Sequence, residues 1–501
     1  MSSRPGWSVH LRPGAAFEPG RLTGALPDAW ARHWRSAPER PALAEASGAE
    51  LSWGQLEADS ARAAGRLHAA GLRAPERVLV SAQSSLALAL AHVACLRLGL
   101  VVLPANPAYR VAELAHLVQG ARPRAAIVDA DERAAALRAL DPDLLVLTPT
   151  LELAEGPVPQ LDRVGPEAIA LLAYTSGTTG RPKGALLSHG NLHATAEALR
   201  IAWRWSPADR LVHALPLFHM HGLGVALHGT LQAGASALLL PRFDPGEVLD
   251  AVERSAATLF FGVPTMLHRL VEHPQAERLA RLRLLVSGSA ALSADLHERI
   301  AARTGQVTLE RYGMTETGML VSNPVDGPRR PGAVGFPLPG VELRLAESGE
   351  IEVRGPNVFA GYLDRPEANA EAFTGDGWFR TGDLGALDAE GCLRIVGRAK
   401  ELVISGGYNV HPREVEEVLL SHPAVREAAV VGTPSAEWGE VVTAYLVSER
   451  ELSVAELRAY CGERLAAYKH PRIVHRVAAL PRNALGKLQR QRLRDGSVLP
   501  E

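Results

Sequence analysis

The sequence predicts an α/β fold in which a large N-terminal domain of α/β sheets with a β-rich subdomain precedes a small α+β domain. Three observations carry that expectation. From about Gly54, helix-patterned stretches such as "GQLEADSARAAGRLHAAG" alternate with the short apolar runs "RVLVSA", "VVLPA", "AAIVDA" and "DLLVLTP", an order that builds a parallel or mixed sheet. The alternation resumes further on in "SALLLP", "TLFFGVP" and "LRLLVSGSA". From Pro331 the texture changes to "PGAVGFPLPGVELRLAESGEIEVRGPNVFAGY", Gly- and Pro-rich with short alternating apolar positions, which predicts a β-rich subdomain. After "GCLRIVGRAK" come a helix-like "PREVEEVLLSHP", strand-like "EAAVVGT" and "VTAYLV", and a helix-like "SVAELRAYCGERL". The predicted boundary near Arg398 to Lys400 gives domains of residues 1–398 and 399–501.

Composition narrows the function classes. At 501 residues, 47% hydrophobic and 22% charged, the chain can bury an extensive core and does not have the makeup of a disordered protein. Its 53 basic and 55 acidic residues leave a net charge of -2 without a long run of either sign, so neither nucleic acid nor a membrane surface is an expected partner. Cys95, Cys392 and Cys461 are too few and scattered for a disulfide framework or zinc cluster, which fits a reducing compartment. The N-terminus lacks a continuous apolar core of the secretory kind. The most apolar run, Leu86 to Ala105, is interrupted by His92, Arg97 and Gly99 and falls short of the ~18 apolar residues of a membrane span. The expectation is a cytoplasmic protein with no membrane insertion.

The most informative stretch is "YTSGTTGRPKGALLSH", Tyr174 to His189. Gly177, Gly180 and Gly184 let the backbone turn sharply and bring its N–H groups close to a ligand. Thr175, Ser176, Thr178 and Thr179 add hydroxyl donors, and Arg181 and Lys183 add positive charge. Phosphate suits that set. The string is not a Walker A loop, because Gly184 rather than Ser or Thr follows Lys183. Composition alone fits a solvated loop equally well.

Taken whole, the string resembles the signature loop of the adenylate-forming superfamily: acyl-CoA synthetases, peptide-synthetase adenylation domains and beetle luciferases. "ALPLFHMHGL", "RYGMTETG", "WFRTGD", "GRAKELVISGGYNVHPREVE" and "PRNALGK" resemble its further motifs, in order, from about residue 30 to the end. The resemblance implies attack of a carboxylate on the α-phosphorus of ATP, giving acyl-adenylate and pyrophosphate. A thiol, here that of CoA, then attacks the acyl carbon. It implies that Thr175, Ser176, Gly177, Thr178, Thr179, Gly180 and Lys183 hold the β- and γ-phosphates. Tyr312, Gly313 and Met314 would bind ATP beside Thr315, which meets the α-phosphate, and Glu316, which with Thr178 meets Mg²⁺. Asp383 would accept the ribose hydroxyls, with Arg398 as its partner on the nucleotide. Lys487 would bridge carboxylate and α-phosphate during adenylation and stabilise the developing charge. Lys400 falls where the family hinges, making residues 399–501 a mobile domain in which Ser405, Gly406 and Gly407 serve the CoA arm.

For the acyl group, "HMHGL", "ERYGMTETGM", "SNP" and "PGAVGFPLPG" most resemble malonyl-CoA synthetases, implying malonate or methylmalonate. The pocket is expected among His219, Met220, Gly288, Ser289, Ala290 and Met314, with His219 as a gate. A dicarboxylate needs a cation for its distal charge, and Arg283 and Arg311 are the candidates by sequence. A short- or medium-chain monocarboxylate remains open as substrate. An amino-acid or acyl adenylation enzyme that loads a carrier protein shares these motifs, but "FHMHGLGVA" offers no aspartate for an ammonium group. A non-catalytic nucleotide-binding protein is the reading from another class, and Lys183, Glu316, Asp383, Arg398 and Lys487 argue against it. "PRNALGK" also resembles a target of lysine acetylases, which would erase the charge of Lys487.

Overall fold

The computed structural model describes residues 6–175, 182–435, 437–482 and 488–497. The chain divides into two compact units, the first Met1–Leu292, Leu296–Glu342 and Val353–Phe379, the second Ser293–Asp295, Leu343–Glu352 and Arg380–Glu501. Strands Glu342–Leu345 and Glu350–Arg354 share a four-stranded sheet with Phe379–Leu387 and Leu393–Arg398. That pairing is why an earlier piece of chain groups with the C-terminal part.

The first unit holds two sheets. In a seven-stranded sheet, Arg77–Ser81, Val101–Pro104, Ala125–Val128, Leu145–Leu147 and Ile169–Thr175 run parallel. Lys183–Ser188 then pairs antiparallel with Ile169–Thr175 and with the short strand Gly361–Tyr362. In a nine-stranded sheet, Arg210–His213, Ser236–Leu239, Leu259–Gly262, Leu284–Ser287 and Leu309–Met314 supply the parallel centre with Pro41–Glu45. The expected α/β alternation is thus present. Its helices bury their apolar faces, as where Val248, Leu267, Leu270 and Ile300 close over Val212, Phe260 and Leu285.

Helix starts follow local chemistry. Ser52 and Gln55 form a capping box at Trp53–Ala69, and Ser188 with Asn191 does the same at His189–Ala202. From sequence the stretch Tyr174 to His189 reads as a loop, and the strand Lys183–Ser188 within it was not anticipated. That six-residue run has buried and half-buried positions and gains its identity from two strand partners distant in sequence.

In the second unit, Gly439–Ser448 lies at the heart of a five-stranded sheet. It pairs with Val425–Ser435 and Val403–Ser405 antiparallel and with Ile473–Arg476 parallel. Helices Pro412–Leu420 and Val454–Gly462 bury Val415, Leu419, Leu457 and Cys461 against that sheet's Val430, Val442 and Leu446. Cys95, Cys392 and Cys461 are buried thiols without a disulfide. Among the described residues, no helix is long and apolar enough to cross a membrane.

Candidate active site

Ser176, Gly177, Thr178, Thr179 and Gly180, and with them Arg181, lie outside the described residues, but the neck of their loop does not. Thr175 and Lys183 are register partners where the two antiparallel strands meet. Lys183 Nζ sits 5.1 Å from the centre of the Tyr362 ring, a cation–π distance. The Tyr362 hydroxyl in turn donates to Glu316 Oε1 at 3.0 Å. Burial and the neighbouring Glu316 raise the phenol's pKa above its ordinary value, so it remains a donor.

Glu316 stands in the turn between Leu309–Met314 and Gly318–Ser322, where Tyr312 faces Val321, Gly313 faces Met319 and Met314 faces Gly318. Its side chain is buried, and its carbonyl accepts the Phe359 N–H at 2.8 Å. Thr315 occupies the same turn, which is closed by the Thr317 N–H on the Met314 carbonyl at 3.2 Å. The structure therefore brings the loop neck and the "YGMTE" turn together through Tyr362, a residue the sequence reading passed over inside "NVFAGYL". Only the pairing of Tyr362 with Ala185 reveals its place.

Asp383 and Arg398 are register partners on neighbouring strands of the second unit, with Arg398 Nε 2.8 Å from Asp383 Oδ1. The two expected ribose-site residues are thus paired, with Asp383 buried. Lys400 lies in the single turn Ala399–Glu401 that follows. Ser405, Gly406 and Gly407 close the hairpin Val403–Ser405/Tyr408–Val410. With φ of +58° and +81° at the two glycines, this is a two-residue turn that side-chain-bearing residues rarely adopt. Lys487 lies outside the described residues.

The expected acyl-pocket residues split into two groups. Arg283 is engaged: Nε and Nη2 reach the two carboxylate oxygens of Asp209 at 2.8 and 2.9 Å, and Nη1 donates to the Trp203 carbonyl at 2.9 Å. Arg311 is different. It is 5% exposed, and among the described residues its Nε and Nη2 find no hydrogen-bond partner. Burial without such a partner pushes its pKa down to about 9, and a bound anion would reverse that. Gly288 lies against the guanidinium: a Cβ there would fall 2.2 Å from Arg311 Cζ, so any other residue would displace the arginine.

Beside it, Ser289 has φ +68°, a left-handed conformation that costs a serine energy and is found at functional sites. Its hydroxyl lies 3.2 Å from His221 Nδ1. His221 is 2% exposed, and its pKa is held well below the usual value by burial and then by Arg311. It begins a π-helical segment, His221–Leu227, a distortion common at functional sites. His219, half-buried, accepts the His221 N–H on Nδ1 at 3.2 Å, and Met220 is buried beside Gly224. Ala290 is exposed. His221 was missed by sequence reasoning; the second histidine of "HMHGL" was the signal available.

Comparisons with known proteins agree with this geometry. The AMP-binding enzyme family matches residues 30–363, and the AMP-binding enzyme C-terminal domain matches 414–487. A feruloyl-CoA synthase of Amycolatopsis sp is 38% identical over 481 residues, covering 92% of this chain and 97% of the relative. The mitochondrial malonate–CoA ligase ACSF3 of Mus musculus is 36% identical over 474 residues, 83% of this chain and 81% of the relative. The ATP-bound structure of MatB from Rhodopseudomonas palustris superposes with a TM-score of 0.89 at 40% identity, covering 94% of this chain and 99% of that one. The chain belongs to the AMP-binding enzyme family and is an adenylate-forming acyl-CoA synthetase.

Proposed function

We propose that this enzyme joins malonate or methylmalonate to CoA, with ATP converted to AMP and pyrophosphate. The observation that carries this reading is Arg311, buried with Nε and Nη2 unpartnered among the described residues. A monocarboxylate would leave that charge uncompensated, whereas the second carboxylate of a short diacid would offset its desolvation. Gly288 packs against the guanidinium, and His221, which contacts Ser289, lies near it, so its surroundings include polar groups; the ligase of Mus musculus named for malonate gives independent support.

In the first half-reaction the reacting carboxylate oxygen attacks the α-phosphorus, and the bond to the bridging oxygen breaks as pyrophosphate leaves. Lys183 offsets phosphate charge, Thr315 meets the α-phosphate, and Lys487 stabilises the charge shared between carboxylate and phosphorus. Asp383 accepts the ribose hydroxyls while Arg398, 2.8 Å away, holds its carboxylate in place. Magnesium, when bound, would neutralise phosphate charge. The buried carboxylate of Glu316, with Tyr362 on Oε1, fits an ion that takes one carboxylate and completes its shell with phosphate oxygens and water; Thr178 is the second residue proposed for it. In the second half-reaction the CoA sulfur attacks the acyl carbon, and AMP leaves with the mixed-anhydride oxygen. Lys400 is proposed as the pivot, and the hairpin containing Ser405, Gly406 and Gly407 as the element that serves the thiol.

The test is CoA-dependent AMP release with ATP and Mg²⁺ across malonate, methylmalonate, sulfoacetate, acetate, ferulate and octanoate. Malonate or methylmalonate should lead by kcat/KM. A lead by acetate, ferulate or octanoate would keep the reaction and remove the dicarboxylate.

A further inference from the structure

The helix Arg490–Arg494 begins three residues after Lys487 and is only five residues long. A helix that short has no stability of its own, so side chains must fix its position. Just before it, Arg482 and Leu488 pair as an antiparallel bridge, and the Gln489 N–H donates to the Pro481 carbonyl at 2.8 Å. Pro481–Arg482 and Leu488–Gln489 are therefore held side by side. Leu493 is buried with Ala429, Val431 and Tyr445, and the Tyr445 hydroxyl donates to the Leu493 carbonyl at 2.9 Å.

Arg490 makes the remaining attachment, and it reaches three elements. Its Nη1 and Nη2 bind both oxygens of Glu416 on helix Pro412–Leu420, the latter at 2.9 Å. Nη1 also donates to the Val430 carbonyl at 2.9 Å, and the Val430 N–H returns to Glu416 Oε1 at 2.6 Å. Nε lies 2.9 Å from Oε2 of Glu401, the residue after Lys400. Burial works against the arginine's charge, but Glu416 and Glu401 outweigh it and raise its pKa. A second tie runs from the other end of the helix. Arg494 Nη2 lies 3.4 Å from Oε1 of Glu440, whose Oε2 accepts the Ile404 N–H at 2.9 Å.

Fold stability alone is served by the Glu416 pair, which meets Nη1 and Nη2 of the part-buried guanidinium. It does not require a bond to the part-exposed Glu401 beside the pivot, nor a parallel bond to the hairpin. We propose that Arg490 and Glu401 are positioning residues for adenylation, coupling the turn that contains Lys400 to helix Arg490–Arg494, which follows Lys487 in the sequence, so that turn and helix move as one body. Arg494 and Glu440 couple the same short helix to the hairpin that serves thioester formation. This rests on the proposed division of labour between Lys487 and the hairpin.

The experiment measures the two half-reactions separately on the full-length enzyme, using its preferred acid: pyrophosphate release without CoA, and AMP release from supplied acyl-adenylate with CoA. Glu401→Ala leaves the Glu416 pair intact and should slow adenylation at least 10-fold, with the KM for ATP changed less than twofold and the second step changed less than threefold. Glu401→Asp should recover most of the lost rate. Glu440→Ala should show the opposite pattern. An unchanged adenylation rate in Glu401→Ala overturns the proposal, as does an equal loss in both steps accompanied by a lower melting temperature. Lys487→Ala is the control for the underlying assignment: if it adenylates normally, the role given to Lys487 fails, whatever Glu401→Ala does.

Discussion

Two arginines, one in each unit, are buried in opposite ways. Arg490 meets two glutamates and a backbone carbonyl, and those partners raise its pKa. Arg311 is more deeply placed, yet no partner among the described residues meets its Nε or Nη2, and burial pushes its pKa down to about 9. Removing a charge from water is offset only by a well-placed partner of opposite sign. Where the protein supplies that partner, the arginine is a fastener. Where it does not, as at Arg311, we propose that the other half of the interaction arrives with a ligand.

The sharpest stability contrast follows from truncating each. Arg490→Met strands Glu416 and Glu401 and should cost about 3–5 kcal/mol. Arg311→Met removes a charge that is costly in the free enzyme, so it should leave stability level or higher. Denaturant midpoints of the two full-length variants decide the matter, and equal destabilisation would erase the distinction drawn between them.

Histidines give a third way to bury a base, namely neutral. His92 and His228 touch through their Nε2 atoms at 2.8 Å. Burial depresses the pKa of His92 to about 3 and those of His189 and His213 to about 4. In the unfolded chain each would bind a proton below about pH 6.5. Between that pH and 4 the unfolded state therefore holds more protons, so stability is fully present above pH 6.5 and falls as pH drops. The slope is up to ~1.4 kcal/mol per pH unit for each histidine. Melting temperature should decline from pH 6.5 to 4.5, and less steeply in His92→Gln, which cannot titrate. A flat wild-type profile would contradict this reading.

The smallest effect is expected at Arg283, whose partner Asp209 is internal. Arg283→Lys should change the ratio of malonate to acetate turnover by less than about twofold; a larger shift would move the substrate's charge partner from Arg311 to Arg283.

These contrasts mark what the sequence could and could not reveal. Alternating apolar runs and helical patterns were legible because each is local. So were the positions of Lys183, Glu316, Asp383 and Arg398, because their motifs are contiguous words. Arg283 and Arg311 looked alike, since the difference lies in Asp209, 74 residues before Arg283. Tyr362 was invisible for the same reason: a strand pairing sets it between Lys183 and Glu316. The strand Lys183–Ser188 escaped notice because its partners, rather than its composition, define it.

The central claim is that Arg311 reads the distal charge of the acid. The most direct test is the ratio of kcat/KM for malonate over acetate, measured by AMP release in the wild-type enzyme and in Arg311→Met. A lost buried ion partner is worth about 3–5 kcal/mol, so at about 1.4 kcal/mol per tenfold the ratio should fall roughly 150- to 5,000-fold, with acetate turnover retained. An unchanged ratio, or equal loss with both acids, would contradict the claim.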